Sequence, residues 1–233
     1  MKREIFITED GSHSLFVPEL AEHFHSTHGA VQESLHVFIK HGLQEMPPFS
    51  DLVIFEVGFG TGLNALLSLV HAEKRKIKYI SLEQYPLLAK EYEQLNYTKQ
   101  IDPQWQDDFL RMHQCAWGEW TAITEGFDLL KLEADFCQID YSELPQFQLV
   151  YFDAFAPNKQ GEMWEEQHFH RLSAHCAPQA RFVTYCAQGE VRRKLSRAGF
   201  QMHRVPGPPM KREMLVGIKG GFKKLVSNPN SAS

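Results

Sequence analysis

The sequence has few cysteines and no long apolar run. No stretch approaches the ~18 continuous apolar residues of a membrane-spanning helix, and Met1-Lys2-Arg3-Glu4 does not lead into the apolar core of a signal peptide. The four cysteines form no CxxC pair, so their spacing fits neither a zinc site nor a disulfide framework; they are Cys115, Cys137, Cys176 and Cys186. We therefore expect a cytoplasmic protein with reduced thiols and no membrane segment.

Patterns typical of metal ligands are also scarce, although histidine is abundant. Among the 12 histidines, His23, His25 and His28 lie closest together, but no carboxylate or thiolate accompanies them at ligand spacing. The same holds for His168 and His170. The sequence therefore predicts no metal site.

The composition is globular, but the charge is unevenly distributed. Apolar residues make up 43% of the 233 positions and charged residues 23%, which argues against long disorder, collagen and coiled coils. Residues 1–170 carry 12 Lys and Arg against 27 Asp and Glu, whereas residues 171–233 carry 12 against two. A basic third on an acidic protein indicates a face that meets a polyanion, or simply a set of solvated side chains.

Three regions follow one another along the chain. In the N-terminal segment (residues 1–50), two short apolar runs flank Asp10-Gly11 and predict a β-hairpin, and residues 28–42 carry the apolar stripe of a helix. The hairpin and helix are expected to pack on the core formed by the main domain, residues 51–225. Residues 226–233 are rich in Ser and Asn and predict a flexible tail.

Apolar strands alternate with amphipathic helices from residue 52 onward. The first strand, Leu52-Val53-Ile54-Phe55-Glu56-Val57, is almost continuously apolar, as expected of a parallel strand buried on both faces. Only a loop separates the last two runs, 200–205 and 214–218, so they are predicted to pair antiparallel. We therefore predict an α/β, Rossmann-like doubly wound fold with seven mostly parallel strands and one antiparallel strand in the edge region. Its ligand should lie at the carboxyl ends of the strands.

A glycine-rich turn follows the first strand, in Glu56-Val57-Gly58-Phe59-Gly60-Thr61-Gly62-Leu63-Asn64. Glycine lets the strand turn sharply into a helix while the backbone passes close to a ligand. The spacing is G-x-G-x-G and not the G-x-G-x-x-G of dinucleotide enzymes. The preceding acid, Glu56, suits the sulfonium cation of S-adenosylmethionine better than a pyrophosphate. A glycine turn without a ligand is the alternative interpretation.

Two acids at later strand ends fit the same ligand. Glu83 closes the second strand, where a carboxylate can accept hydrogen bonds from both ribose hydroxyls. Asp135 follows the third strand and is a candidate acceptor for the adenine amino group, although Glu133 and Asp140 compete for that place. An exposed acid at a strand end is the alternative for Glu83.

Asp153 ends the fourth strand, which is expected to lie beside the first. The reactive methyl group should point there, and a buried acid is costly unless it has a partner. Phe155 and Pro157 follow it closely and are predicted to line the acceptor pocket.

Five sequence blocks carry a resemblance to a known family. They are GFGTGLN, SLEQYPL, DAFAPNKQGEMW, GEVRRKLSRAGF and KREML, and the resemblance extends over residues 24–219. Together they resemble the methyltransferase half of the bifunctional MnmC enzymes, which make 5-methylaminomethyl-2-thiouridine at the wobble position of tRNA. The third and fifth blocks are specific to that family, whereas many methyltransferases share the glycine turn. The oxidase half of the family has no counterpart here, so we expect a stand-alone, MnmD-like form.

The resemblance implies a cofactor, an acceptor and a set of site residues. The cofactor is S-adenosylmethionine, and the acceptor is the primary amine of 5-aminomethyl-2-thiouridine in tRNA. The candidate cofactor-binding residues are Glu56, Gly58, Phe59, Gly60, Gly62, Asn64, Glu83, Asp135 and Asp153. The residues that match later family positions are Lys159, Met163, Trp164, Lys211 and Arg212, of which all but Met163 are predicted to contact the substrate. The stretch 115–124 matches the family poorly.

The acceptor that the resemblance implies suggests a role for Asp153. A lysine-like amine titrates near ~10.4, so the acceptor is mostly protonated near pH 7. Asp153 is therefore predicted mainly to orient the nitrogen and to accept its proton, while positioning supplies most of the rate.

Basic residues on two late elements predict the tRNA-binding surface. One predicted helix carries the cluster Arg192, Arg193, Lys194 and Arg197. Lys211 and Arg212 lie in the loop before the last strand. We expect both groups to contact phosphates without reading sequence, with the Lys211-Arg212 pair nearer to the splayed uridine. For the helix, a solvated face is the alternative.

Other functions remain possible from the sequence. An S-adenosylmethionine-dependent enzyme for a small amine or carboxylate would share the glycine turn, but the family-specific blocks and the basic C-terminal third argue against it. A non-catalytic RNA-binding module on the same fold would be expected to lose acids such as Glu83 and Asp153. A dinucleotide dehydrogenase is disfavoured by the glycine spacing. No oligomeric state is predicted.

Overall fold

The computed structural model describes residues 2–48 and 50–220. The tail predicted at residues 226–233, and residues 221–225 at the end of the predicted main domain, lie outside the described residues. The division of the chain into an N-terminal segment and a main domain stays a prediction.

The N-terminal segment begins with a small antiparallel sheet, which contains β1 (Glu4–Ile7), β2 (His13–Val17) and β3 (Glu22–His23). The predicted hairpin is confirmed between β1 and β2, and β3 adds a third strand. Gly11 adopts a positive φ of 82° in the connecting turn, and the Asp10 carboxylate accepts the backbone N–H of Ser12 at 3.0 Å. The predicted helix corresponds to α1 (Ala30–Ser34), which continues as a π-helical stretch over Leu35–Lys40.

An eight-stranded sheet forms the centre of the molecule. Its strands are β4 (Leu52–Val57), β5 (Ile77–Glu83), β6 (Trp120–Thr124), β7 (Phe127–Glu133), β8 (Phe147–Phe152), β9 (Cys176–Thr184), β10 (Phe200–Pro206) and β11 (Glu213–Lys219). They lie side by side in the order β10-β11-β9-β8-β4-β5-β7-β6. Strand β4 is parallel to both β5 and β8. The chain therefore builds the sheet outward in two directions from β4, which leaves a crevice at the carboxyl ends of β4 and β8.

Helices cover both faces of the sheet. They are α2 (Leu63–Val70), α3 (Ala89–Tyr92), α4 (Tyr97–Ile101), α5 (Gln106–Gln114), α6 (Glu166–His175) and α7 (Gly189–Arg197), with 3₁₀ turns at Leu43–Glu45, Pro103–Trp105 and Gly161–Trp164. On β4, Ile54 packs into one core and Phe55 into the other, because successive side chains of a strand point to opposite faces. Burial on both faces explains why the strand is a nearly continuous apolar run. Among the described residues, none of the helices combines the length and apolar character required to span a membrane.

The sheet differs from the prediction by one strand. The reversed strand is confirmed, since β11 is antiparallel to both β9 and β10. The eighth strand is β6, which pairs antiparallel with β7 at the opposite edge. Only Ile123 of β6 is buried, so this strand lacks the apolar run that marks the others. Its hydrogen bonds to β7, and not its own side chains, define it.

Candidate functional site

Three glycines shape the turn between β4 and α2. Gly58, Gly60 and Gly62 have positive φ values of 94°, 50° and 72°, a region in which other residues are strained. A Cβ on Gly58 would also lie 2.9 Å from the backbone oxygen of Asp153, and one on Gly60 would lie 3.2 Å from the Phe24 ring. The turn therefore keeps its backbone bare where β4 meets the end of β8.

Glu83 at the end of β5 is tied to this turn. One oxygen, Oε2, accepts the backbone N–H of Gly60 at 2.9 Å, and Oε1 accepts that of Tyr85 at 2.8 Å. Each carboxylate oxygen can accept a second hydrogen bond. The side chain is therefore fixed in place while it retains acceptor capacity for a ligand.

A cavity of about 800 Å³, partly open to solvent, lies against the turn and Glu83. Leu82 and Phe136 give it apolar walls, and Arg3, Phe24 and His25 of the N-terminal segment close another side. A bare turn, a fixed carboxylate and apolar walls are the features that an adenosyl group needs, so the cavity fits the cofactor predicted from the sequence.

Asp153 lies where this cavity meets a second one. The residue directly follows β8, and its Oδ2 accepts a hydrogen bond from Nδ2 of Asn64 at 2.8 Å. Burial raises the pKa of Asp153 to about 7; the negative charge of Glu33 adds to the rise, whereas the Asn64 hydrogen bond and the Lys211 charge oppose it. A carboxyl group that titrates near neutral pH is well suited to exchange a proton with a bound group.

The second cavity, also partly open to solvent, spans about 740 Å³ of empty space and adjoins the first. The two share the wall residues Phe24, His25, Asp153, Ala154 and Phe155. Other parts of the second wall come from Glu33, Tyr185 and Lys211. The hydroxyl of Tyr185 donates to the backbone oxygen of Ala154 at 2.8 Å, which holds the tyrosine ring at the end of β9 beside Asp153. Two cavities that meet at a carboxyl group can bring a bound donor molecule and a bound acceptor molecule together.

A model of the S-adenosyl-L-methionine-dependent methyltransferase family matches residues 96–220. The chain belongs to this family. Its cofactor is therefore S-adenosylmethionine, as the sequence predicts.

Curated relatives confirm the resemblance to the MnmC family. The methyltransferase is 31% identical to the tRNA 5-methylaminomethyl-2-thiouridine biosynthesis bifunctional protein MnmC of Pseudomonas savastanoi pv. phaseolicola, over 92% of this chain and 34% of that protein. It is 33% identical to the protein of the same name from Pseudomonas aeruginosa strain PAO1, over 88% of this chain and 34% of that protein. The chain thus spans about a third of the length of these relatives.

A solved structure supports the fold. The crystal structure of MnmC2 from Aquifex aeolicus superimposes with a TM-score of 0.72 and 24% sequence identity, covering 93% of this chain and 70% of that chain. The predicted Rossmann-like methyltransferase fold is therefore confirmed, with eight strands in place of seven.

Most of the predicted cofactor-binding residues of the methyltransferase line the first cavity. Those in its wall are Gly58, Phe59, Gly60, Asn64, Glu83 and Asp153. Gly62 forms the N-cap of α2. Glu56 lies beneath the turn: its side chain is fully buried, and Oε2 accepts from the Ser81 hydroxyl at 2.6 Å. The structure thus places Glu56 behind the wall and not against a ligand.

Burial makes Glu56 a neutral group at pH 7. Burial raises its pKa to about 8; the Ser81 hydrogen bond opposes this rise and the charge of Asp153 adds to it. The argument that the charge of Glu56 suits a cationic ligand therefore needs correction, because in this structure the carboxyl group is protonated near pH 7. Neutralising a buried carboxyl group is the usual response to lost hydration.

We expect Glu56 to make the methyltransferase less stable as pH rises from about 5 to 8. Unfolded Glu56 ionises with a pKa near 4.5, whereas the folded residue stays protonated up to about 8, so rising pH favours the unfolded chain. Glu56→Gln removes this contribution, which is on the order of 3 kcal/mol across that interval. Urea unfolding at several pH values, with the exposed Glu133→Gln as control, checks this. Wild-type and Glu56→Gln curves that stay parallel would contradict it.

Asp135 does not reach the first cavity. Its Oδ1 accepts the backbone N–H of Cys137 at 2.8 Å, and its Oδ2 accepts from the Gln138 side chain at 3.2 Å. The residues on either side of it, Ala134 and Phe136, form the cavity wall. The predicted contact with the adenine amino group therefore has no support from the side-chain position, because Asp135 caps its own turn.

The residues of the DAFAPNKQGEMW block have two different roles: some line the cavities, and others hold the loop in place. Phe155 lines both cavities, whereas Pro157 lines neither. Lys159 donates to the backbone oxygen of Leu20 at 2.8 Å and so ties this loop to the N-terminal segment. Trp164 is 1% exposed, and its Nε1 donates to the backbone oxygen of Phe155 at 2.8 Å. The prediction that Trp164 contacts tRNA is therefore corrected: a side chain buried in the core holds Phe155 in place.

Trp164→Phe is expected to destabilise the methyltransferase by about 1–3 kcal/mol, because the buried backbone oxygen of Phe155 loses its donor. The phenylalanine ring keeps most of the packing against Phe152, whose ring centre lies 4.8 Å away. Urea unfolding measures the change in the free energy of unfolding. An exposed aromatic, Trp120→Phe, serves as the matched control. Equal midpoints for the two variants would show that the Trp164 hydrogen bond has no such role.

The basic residues predicted to bind tRNA differ in their surroundings. On α7, ion pairs join Arg193 to Glu190, Lys194 to Glu165 and Arg197 to Glu166, at 2.6, 3.2 and 2.7 Å. Arg192 is half-buried on the same helix. Lys211 points into the second cavity, whereas the neighbouring Arg212 is exposed and has no ion pair among the described residues. The spacing of Glu190 and Arg193 on α7 makes their pair visible in the sequence. The pairs of Lys194 and Arg197 were not visible, because Glu165 and Glu166 lie in or beside α6.

Several wall residues were not singled out from the sequence. Arg3, Phe24 and His25 reach the first cavity because the N-terminal segment folds across it, and Arg3 is held there by Glu91 at 3.1 Å. The one signal for Phe24 and His25 was that the family resemblance begins at residue 24. Tyr185 follows β9 just as Asp153 follows β8, so its place at a strand end could have identified it. Within residues 2–48 and 50–220, no group of three or more potential ligands is placed to hold a metal ion.

Proposed function

We propose that this chain transfers a methyl group from S-adenosylmethionine to the primary amine of 5-aminomethyl-2-thiouridine at the wobble position of tRNA. The observation that carries the proposal is the position of Asp153 in the walls of two adjoining cavities. Family membership supports the methyl donor. The MnmC relatives, which are tRNA 5-methylaminomethyl-2-thiouridine biosynthesis proteins by name, support the modified nucleoside and tRNA. With tRNA as substrate, the enzyme would work in the cytoplasm, as predicted from the sequence.

In this proposal the first cavity holds the cofactor. Glu83, fixed by Gly60 and Tyr85, accepts the ribose hydroxyls. Leu82 and Phe136 provide apolar walls for the adenine ring. The bare glycine turn leaves room for the amino-acid end near Asn64. When bound, the cofactor supplies a methyl group whose bond to sulfur breaks as its bond to the acceptor nitrogen forms.

Asp153 then handles the proton of the acceptor. An alkyl amine binds chiefly as ammonium near pH 7, and its nitrogen has no free lone pair until one proton leaves. With a pKa of about 7, Asp153 is ionised in a large fraction of molecules and can take that proton. The proton passes on to water after transfer. Asn64 holds the carboxyl group in position, because it donates to Oδ2.

The second cavity supplies the surroundings of the acceptor base. Phe155 and Tyr185 present aromatic side chains to it, and splayed RNA bases commonly stack on such rings. Phe155 is itself held edge-on by Phe24, with ring centres 5.3 Å apart, and by the buried Trp164. The DAFAP loop and the N-terminal segment would together form the pocket for the uridine.

The exposed Arg212 is proposed as the main phosphate contact among the predicted basic residues. It follows Lys211, which lines the second cavity, and it has no ion pair in the described part of the chain. Arg192 and Arg193 on α7, with Lys159, are proposed as weaker contacts, because Arg193 and Lys159 already bond to protein groups. An existing carboxylate partner reduces the net charge that a phosphate meets.

Arg212→Gln is expected to weaken tRNA binding and to reduce the slope of log K against log salt by about 1. The physical reason is that one phosphate contact, with its released counterion, is lost. Binding titrations at several salt concentrations measure both quantities. Arg193→Gln is the matched control and should change the slope less, because Arg193 is paired with Glu190. A salt slope that stays the same in Arg212→Gln would remove this residue from the interface.

The proposed function is tested by incubating the protein with labelled S-adenosylmethionine and tRNA that carries 5-aminomethyl-2-thiouridine. We expect one methyl group on the amine and none on tRNA that lacks the aminomethyl group. Methylation of free small amines but not of tRNA would indicate a small-molecule methyltransferase instead. Tight tRNA binding without transfer would indicate a non-catalytic RNA-binding module.

A further inference from the structure

An ion pair crosses the second cavity between two distant parts of the chain. Glu33 of α1 is 7% exposed, and its Oε1 lies 2.5 Å from Nζ of Lys211 in the loop between β10 and β11. The other oxygen of Glu33 accepts the backbone N–H of Ser26 at 2.7 Å. The Lys211 ammonium also lies 4.3 Å from the centre of the Tyr185 ring. Opposite charges therefore face the space proposed for the acceptor.

Lys211 and Arg212 are neighbours in sequence with different environments. Lys211 is directed inward to Glu33 and Tyr185, whereas Arg212 is exposed. An inward lysine is unlike a phosphate-binding side chain, because its ammonium already has a carboxylate and an aromatic face as partners. The position of Lys211 therefore indicates that it acts inside the second cavity and not on the surface.

The other titratable groups of this wall contribute less charge. They are Glu22 and His23 of β3, His25, Asp153 and Tyr185. Burial lowers the pKa of His25 to about 4, and burial raises the pKa of Tyr185 above its usual value, so both are neutral near pH 7. Glu22 and His23 are only half-buried, and solvent screens their charges more. Glu33 is therefore the main buried charge of this wall beside Asp153, and Lys211, whose side chain is 36% exposed, is its direct partner.

We propose that the Glu33–Lys211 pair sets the electrostatic environment of the acceptor amine, and so controls how much of the bound amine has a free nitrogen lone pair. The inference rests on the proposed function, since it requires an amine acceptor. A carboxylate alone would favour the ammonium form, and a lysine alone would favour the neutral amine. Paired, the two charges nearly cancel, which leaves Asp153 to hold the nitrogen. Both are positioning residues, because they act through Asp153 and the amine.

The two members of the pair act on Asp153 in opposite directions. The negative Glu33 raises the pKa of Asp153, and the positive Lys211 lowers it. The same charges must act in the same directions on an amine bound at Asp153, because both groups are stabilised in their protonated form by a negative neighbour. Removing one partner should therefore shift the protonation of the bound amine in a direction set by the partner that remains.

The experiment compares Glu33→Gln, Lys211→Met and the double variant. The single-turnover rate of methyl transfer is measured from pH 5.5 to 9 with saturating S-adenosylmethionine and aminomethyl-tRNA. The rate should rise with pH as the bound amine loses its proton. The position of this rising limb of the pH–rate profile therefore reports the protonation of the amine in the bound complex. Glu33→Gln should move this limb to lower pH by about one unit, and Lys211→Met should move it to higher pH by about one unit. The neutral double variant should return the limb close to its wild-type position.

The opposite signs separate this role from a structural one. Both single variants break the same contact, so a purely structural pair predicts similar losses of rate with an unmoved limb. Glutamine at position 33 can still accept the Ser26 N–H, which preserves the local fold. Arg212→Met removes a positive charge from the same loop without entering the cavity, so it should weaken tRNA binding but leave the limb in place.

The results discriminate between the two proposals. Opposite shifts with recovery in the double variant support the inference. Limbs that stay in place, or that move in the same direction, overturn it while wild-type methyl transfer upholds the proposed function. If the wild-type protein itself transfers no methyl group to aminomethyl-tRNA, the proposed function fails, and this inference fails with it.

Discussion

Replacing Asp153 by asparagine should slow methyl transfer to the amine by about 10²–10⁴-fold, the usual contribution of a positioned acid–base group. Asparagine keeps the shape of the side chain and can still accept the Asn64 hydrogen bond through its oxygen. It cannot take a proton from the acceptor. Single-turnover rates with saturating tRNA and cofactor measure the loss. Calorimetry with S-adenosylmethionine should show an affinity close to that of the wild-type protein.

Asp140→Asn is the matched control for this variant. Asp140 also follows a strand in sequence, but it is exposed and its Oδ1 only accepts the backbone N–H of Ser142 at 2.9 Å. It should retain the wild-type rate. If Asp153→Asn were as fast as Asp140→Asn, Asp153 would not accept the proton of the amine. The position of Asp153 between the two cavities would then no longer support the proposed function.

Glu83→Ala should weaken S-adenosylmethionine binding by about 10²-fold or more. Hydrogen bonds to a charged group contribute ~1.5–3 kcal/mol each, and two ribose hydroxyls would lose their acceptor. The backbone N–H of Gly60 would also lose its partner, so the glycine turn would be less firmly held. Calorimetry or quenching of intrinsic fluorescence can follow the affinity.

Glu133→Ala provides the matched control for Glu83. The two residues lie opposite one another in the β5–β7 register and end their strands together. Glu133 is exposed and does not line the cavity. Its replacement should leave the affinity near the wild-type value. Equal affinities for Glu83→Ala and the wild-type protein would mean that the ribose binds elsewhere.

The main features of the fold follow from local patterns in the sequence. Leu52–Val57 and Phe147–Phe152 are buried on both faces, and such strands produce apolar runs that are visible without a structure. The short strand β6 was missed because four of its five residues are not buried. Helix α3 spans only the four residues Ala89–Tyr92, which is too short to show a periodic apolar stripe. Edge strands and short helices depend on neighbours that a local pattern does not contain.

The site was predictable where strand order alone determines position. Gly58, Glu83 and Asp153 all lie at carboxyl ends of adjacent parallel strands, so sheet geometry brings them together. The direction of a side chain within a loop is decided by partners that are distant in sequence. Lys211 turns inward because Glu33 is there, and Asp135 caps its own turn.

Sequence patterns also did not show that the N-terminal segment contributes to the walls of the cavities. Phe24 and His25 line both cavities although more than 25 residues of sequence separate them from β4 and over 100 separate them from β8. Such long-range packing leaves no periodic signal. The resemblance to the MnmC family, which begins at residue 24, indicated that these residues belong with the site but not where they lie.

A crystal structure with S-adenosylhomocysteine and 5-aminomethyl-2-thiouridine bound together is the most direct test of the proposed site. We predict the ribose of the cofactor product at Glu83 and its sulfur in the first cavity. The amine should lie in the second cavity, with its nitrogen at ~2.6–3.2 Å from an Asp153 oxygen. A cofactor bound away from the glycine turn, or an amine out of reach of Asp153, would contradict the proposed mechanism.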